Sequence, residues 1–302
     1  MPALVPPGFT RGPLLLMGSA TTELTETMLL QRFWTDAGGY GARILVVPTA
    51  TTSQAAKKYV DLFTSWEAAA VNVLTVESRA DAQQRHHQAL FDTATGILVL
   101  EGNPLQFISL LGGTPVAQAI RRANAHGKTV AGLGRGASLL CQHMIAFEQS
   151  NENSSSFLQR RLIQFAPGLG LINRLVLDVA HVEDDSRRHQ SLPMALSTLL
   201  TAVAYNPFLI GLGMEPSVGV AVYADSTVDV FGEGSVLVID GAGMSYTNVH
   251  EYKSETPISM LGVKLHVLGQ GYTFNLDQRT VHQPVVNDMP TATVPDQSKS
   301  PF

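Results

Sequence analysis

The stretch with the strongest claim to chemistry runs Val130-Ala-Gly-Leu-Gly-Arg-Gly-Ala-Ser-Leu-Leu-Cys141. An apolar run passes through closely spaced glycines into a second apolar run, the pattern of a strand that turns sharply into a helix. Hydrolases built on such a turn read G-x-S-x-G and hold the serine in a strained backbone conformation at the mouth of a sheet. The first amides of the following helix then stabilise an oxyanion. Here the five residues are Gly132-Leu133-Gly134-Arg135-Gly136, so the central position is Gly134. Glycine accepts the strained backbone but offers no atom that can attack a carbonyl. Ser138 and Cys141 follow on what reads as the helix after the turn, where packing roles are expected. Cys141 has no cationic neighbour in sequence that would activate its thiol.

Other chemistry-bearing residues are scattered. His86-His87 is an adjacent pair, expected as a solvated pair on a helix, and no His, Cys, Asp or Glu spacing marks a metal site. The run Glu183-Asp184-Asp185, followed by Arg187-Arg188, reads as a solvated face. Neither a metal nor a cofactor is expected.

The elements that must position the turn are legible from apolar runs alternating with amphipathic stretches, which predict a parallel sheet covered by helices. Strands are predicted at 12–18, 43–48, 71–76, 95–100 and 128–132. Helices are predicted at 22–38, 54–70, 80–92, 115–126 and 136–144. The serine-rich segment 148–156 reads as a loop. Short runs at 218–223, 227–230, 235–240, 262–268 and 272–276 predict antiparallel additions to the sheet. Residues 1–286 are expected to form one α/β domain, and the Pro- and Thr-rich tail 287–302 to be disordered.

Composition narrows the function classes. At 302 residues and 45% hydrophobic, the chain can bury a full core. A net charge of −5 argues against nucleic-acid binding, and the apolar stretch Leu14–Met17 is too short to cross a membrane. Neither a signal peptide nor a membrane anchor is read at the start. The single cysteine excludes an intrachain disulfide and fits a reducing cytoplasm.

Read in order, the chain resembles the cyanophycinases, serine peptidases related to aspartyl dipeptidases. The resemblance runs from Gly12 to about Leu276. It rests on the opening strand, on Ala37–Ala50, on Ala94–Asn103 and on the turn continuing to Ile145. Further on it includes Gly168–Leu171, Val176–His181, Ile210–Glu215 and Gly232–Asp240. It implies a flavodoxin-like fold of the class I glutamine amidotransferase-like type. It also implies a homodimer, and release of β-Asp-Arg dipeptides from cyanophycin, a polymer of aspartate bearing arginine.

Carried over residue by residue, the family's elbow, similar to G-T-S-A-G-A, falls on Gly132 to Ala137, with Gly134 at the serine and Arg135 at a small alanine. The catalytic histidine falls on His181, with Ala180 at the usual glutamine. The acidic segment falls on Gly211–Pro216, placing Pro216 at the acid and Glu215 beside it. The substrate-facing G-G-D/N-Q turn becomes Glu101-Gly102-Asn103-Pro104, so Gly102, Asn103 and Arg135 are the expected substrate contacts. The resemblance thus implies a relative without its nucleophile, one that binds cyanophycin or pairs as a heterodimer with an active paralogue. The alternative is a hydrolase acting through a rearranged His181 and Glu215. The first predicts a cleft filled by Arg135 or Glu101, the second an open cleft at Gly134.

Overall fold

Strands that are apolar at almost every position must be covered on both faces, and the computed structural model places them so. It describes residues 2–20, 22–48, 56–149, 162–179, 192–251 and 257–284. Strands β1 (Leu14–Met17), β2 (Arg43–Val47), β3 (Ala70–Val73), β4 (Gly96–Val99) and β5 (Thr129–Leu133) run parallel in the order β1-β5-β4-β2-β3. Alternation splits their side chains between two cores: Leu14 and Leu16 enter one, Leu15 and Met17 the other. Helices α1 (Glu23–Asp36) and α2 (Ala56–Ser65) cover the second core with Leu29, Leu30, Phe33, Tyr59 and Phe63. Thr22 caps α1 by accepting from the Thr25 amide, and the Thr25 hydroxyl accepts from the Thr22 amide in return.

The crossover from β3 to β4 departs from expectation. In place of one helix over 80–92 there are α3 (Arg79–Ala82), a 3-10 turn Arg85–His87 and α4 (Gln88–Thr93). Their buried residues are Ala82, His87 and Phe91. A continuous helix would turn Ala82 and His87 to different faces, and the break lets both face inward. Beyond β4, α5 (Pro104–Leu111) and α6 (Pro115–Ala125) cover the first core through Phe107, Leu111, Val116 and Ile120. Each starts with a side-chain cap, Asn103 or Thr114, followed by proline.

After β5 the expected helix over 136–144 shrinks to α7 (Arg135–Ser138). Leu139, Leu140 and Cys141 are all fully buried, which three consecutive residues on a one-faced helix cannot achieve. The helix therefore ends in a turn at Leu139 and Leu140, and Cys141 bridges to Ile172. A hairpin absent from the sequence reading follows, β6 (His143–Gln149) with β7 (Leu162–Pro167). Next come β8 (Leu175–Val179), α8 (Leu192–Tyr205) and β9 (Ile210–Met214), with β8 and β9 parallel.

The remaining strands are β10 (Val218–Val222), β11 (Thr227–Gly232), β12 (Val236–Asp240), the short pair β13 (Tyr246–Thr247) and β14 (Met260–Leu261), β15 (Lys264–Leu268), β16 (Thr273–Asn275) and β17 (Thr280–His282). The predicted antiparallel runs are all strands, but they serve two sheets. β10, β11, β16 and β17 extend the parallel strands from the β1 edge, making nine strands in all. β12 and β15 instead join β9 and β8 in a separate four-stranded sheet. Ile210, Leu212 and Met214 turn one face of β9 to the first core. The opposite face carries Gly211 and Gly213, where added Cβ atoms would sit 3.1 Å from Val203 and 2.9 Å from Leu199 of α8. The predicted tail 287–302 and most of the loop 148–156 lie outside the described residues. No helix among the described residues is long and apolar enough to cross a membrane.

Among the described residues, two ion pairs tie the two sheets together, Arg174 with Asp277 and Arg279 with Asp240. Asp240, 2% exposed on β12, accepts from Arg279 in the turn between β16 and β17, whose second nitrogen donates to the Phe208 carbonyl at 2.9 Å. Arg279→Ala should leave that buried carboxylate with the Ala242 amide but without its cation, and lower unfolding stability by on the order of 3 kcal/mol, read as a shifted denaturant midpoint.

Candidate functional site

The turn after β5 has the backbone that the spacing predicts. Gly134 sits at φ 54°, ψ −127°, a conformation that is strained for any residue with a side chain. Its amide donates to the Met17 carbonyl at 2.9 Å, pinning the turn to the end of β1. The flanking glycines are fixed by close approach. A Cβ on Gly132 would lie 2.5 Å from the Gly136 carbonyl oxygen, and one on Gly136 would lie 2.6 Å from that of Leu100. The turn is thus wedged between β1 and β4.

A carboxylate takes the volume that a nucleophile's side chain would need. A Cβ built on Gly134 would lie 2.5 Å from the Glu101 carboxyl carbon and 2.6 and 2.7 Å from its two oxygens. Glu101 follows β4, the strand beside β5, and Ser19 at the end of β1 donates its hydroxyl to Glu101 Oε1 at 3.2 Å. Ser19 is itself buried. Tyr59 of α2 completes the surroundings: its hydroxyl donates to Glu26 Oε1 at 2.9 Å. Burial first, then the Glu26 carboxylate, and in smaller part Glu101, push the Tyr59 hydroxyl far above its ordinary value, so it stays a donor.

The other predicted site residues divide. Arg135 is exposed at the start of α7, so of the two residues expected to fill the cleft it is Glu101 that does so. Glu215 does come to this end of the sheet. Its backbone packs on Gly18, where a Cβ would meet the Glu215 carbonyl oxygen at 2.7 Å, and the Ser217 amide donates to the Ser19 carbonyl at 3.1 Å. The Glu215 carboxylate, however, accepts from the Ser235 amide at 2.7 Å. Asn103 caps α5, accepting from the amides of Leu105 and Gln106 at 3.0 and 3.2 Å, with Gly102 beside it. His181 and the acidic run at 183–185 lie outside the described residues.

Neither alternative nucleophile is poised. Ser138 donates its hydroxyl back to the Arg135 carbonyl at 2.8 Å. Cys141 lies off the helix on which it was expected, fully buried, and burial pushes its thiol up to about 12. The histidine pair is not simply solvated: His86 is exposed, but His87 is buried and its Nε2 lies 3.1 Å from Asp81 Oδ1. Asp81, His86 and His87 are the one group among the described residues whose atoms converge as metal ligands would. The sequence reading missed Asp81 because a helix break separates it from the pair.

Comparison with known proteins places these features. The model of peptidase family S51 matches residues 14–201. A cyanophycinase of Geminocystis herdmanii is 31% identical over 280 residues, covering 92% of this chain and 97% of its own. A cyanophycinase of Trichormus variabilis is 29% identical over 278 residues, covering 91% of this chain and 89% of its own. A peptidase from an acI-B1 actinobacterium, solved by crystallography, shares the fold at a TM-score of 0.54 and 20% identity, covering 89% of this chain and 98% of its own.

Two outcomes follow from the geometry of the turn. Gly134→Ser alone should be destabilising by about 1–3 kcal/mol, from backbone strain at φ 54° together with crowding of Glu101. Combined with Glu101→Ala, only the crowding part should return, giving a small favourable coupling in a double-mutant cycle of thermal unfolding. Iodoacetamide should leave Cys141 unmodified in the native protein and alkylate it only after denaturation, as read by intact mass.

Proposed function

Because this chain belongs to peptidase family S51, we propose that it keeps the scaffold of a cyanophycinase as a non-catalytic member, one that engages cyanophycin or an active paralogue without cleaving. The observation that carries this reading is the Glu101 carboxylate lying where the side chain of residue 134 would stand. Peptide hydrolysis by this family's chemistry needs a nucleophile, a base and oxyanion donors acting together, and loss of the nucleophile alone removes most of the acceleration. Gly134 supplies none, and Ser138 and Cys141 are both committed to packing.

What remains at the turn suits binding. Glu101 presents a carboxylate beside Tyr59, which itself donates to Glu26, and such an acceptor favours the guanidinium groups of an arginine-bearing polymer through charge-assisted hydrogen bonds. A water-based route through His181 and Glu215 would use Glu215 with one carboxylate oxygen already accepting from the Ser235 amide.

The test is release of β-Asp-Arg from purified cyanophycin by the wild-type protein, with sedimentation of the protein alongside insoluble polymer. The expected result is no dipeptide and co-sedimentation that weakens in Glu101→Gln. Turnover by the wild type would overturn the non-catalytic reading. Absence of both turnover and co-sedimentation would leave pairing with an active paralogue as its remaining form, read by mixing the two proteins on a sizing column.

A further inference from the structure

We propose that Asp81, His86 and His87 form a binding site for a divalent transition metal of the zinc class, on the crossover between β3 and β4. One ligand atom from each of the three residues lies within 4.8 Å of the other two. His87 Nε2 is 3.1 Å and His86 Nε2 is 3.8 Å from the same oxygen, Asp81 Oδ1. Zinc bonds of about 2.0–2.2 Å at angles between about 90 and 120° set two ligand atoms about 2.9–3.8 Å apart. Both separations fall in that range, whereas 3.8 Å is too long for a hydrogen bond. A shared cation accounts for both imidazoles turning to one carboxylate oxygen; a single hydrogen bond accounts for only one.

The arrangement is also built, not merely crowded. Asp81 is held on both sides: its amide donates to the Ser78 hydroxyl at 3.1 Å and its Oδ2 accepts from the Glu77 amide at 3.3 Å. His87 is 5% exposed and fixed by packing. The two rings pack against each other with centroids 3.8 Å apart and planes tilted by 41°. His86, with its side chain 64% exposed, can make the small adjustment that closes the geometry. A mixed nitrogen and oxygen donor set selects zinc or a neighbouring first-row metal over calcium or magnesium. Three protein ligands leave a position for water.

Such an ion would clamp α3 to the 3-10 turn and so stiffen the segment leading into β4, whose far end carries Glu101. This site is independent of the fate of the turn at Gly134.

Untagged full-length protein, stripped with a chelator and dialysed, would be titrated with Zn²⁺ by calorimetry and with Co²⁺ by visible absorption. One equivalent should bind, Co²⁺ should give the intense bands of a low-symmetry, four-coordinate site, and Zn²⁺ should raise the Tm. His86→Ala should weaken binding by at least about tenfold, since losing even an outer-shell partner of a metal costs that much. Because His86 is exposed, its removal should leave the metal-free Tm unchanged; Asp81→Asn serves as the second variant. Absence of saturable one-equivalent binding would overturn the proposal. So would binding that His86→Ala and Asp81→Asn both leave intact, since the metal would then sit elsewhere.

Discussion

The close passage of the 132–136 turn between β1 and β4 is the constraint on which the rest of the site depends. Added Cβ atoms at Gly132 and Gly136 would run into main-chain atoms rather than movable side chains, so neither neighbour can give way. The Gly134 amide is tied to β1 through Met17, and Gly136 lies against the carbonyls that end β4. The core of the mouth is delivered by the residues just past those strand ends: Ser19 after β1, Glu101 after β4, Gly134 after β5. Parallel strands end at one edge of the sheet, and for that reason three segments far apart in sequence meet there.

Within that frame, a glycine at the centre of the turn changes two terms at once. A side chain held at φ 54° and ψ −127° costs on the order of 1–3 kcal/mol, and glycine carries little of that strain. Removing the side chain also opens a volume beside a buried serine hydroxyl. A void lined by polar groups is costly unless something hydrogen-bonds there, and the Glu101 carboxylate fills it while accepting from Ser19. The two residues are therefore one unit: the carboxylate fits only because residue 134 has no Cβ.

Most of the fold was legible because its signals are local. Most strands of the parallel half are short apolar runs bounded by turn residues, and α1 and α6 carry side-chain caps at their starts, whereas α5, capped in the same way by Asn103, was not expected. What escaped was set by tertiary burial. Residues 139–141 look helical but are all buried, so the helix stops in a tight turn ahead of β6, and 80–92 breaks to bring Ala82 and His87 inward together. The division of the late strands between two sheets was equally invisible. It depends on which neighbour each strand finds, as β12 finds β9 and β16 finds β11. In the candidate site, the position of Gly134 could be read from glycine spacing, as could its lack of a nucleophile. That Glu101 rather than Arg135 occupies the cleft could not be chosen, because the choice turns on the adjacency of β4 and β5 and on the outward direction of Arg135 at the first residue of α7.

The glycine pattern that makes this chain read as a hydrolase is first of all a packing requirement. Gly136 would be needed by any turn that passes the end of β4 so closely, and Gly132 by any helix that folds back so closely on its own strand, whatever chemistry the turn carried. Only the central side chain and its partners report on catalysis, and those are the positions at which this chain differs from the pattern. Sequence similarity spread over the whole chain weighs the many packing positions heavily and the few chemical ones lightly. A likeness of about 30% identity can therefore fix the family and the fold while the identity of one residue, and of the carboxylate packed against it, decides what the site can do.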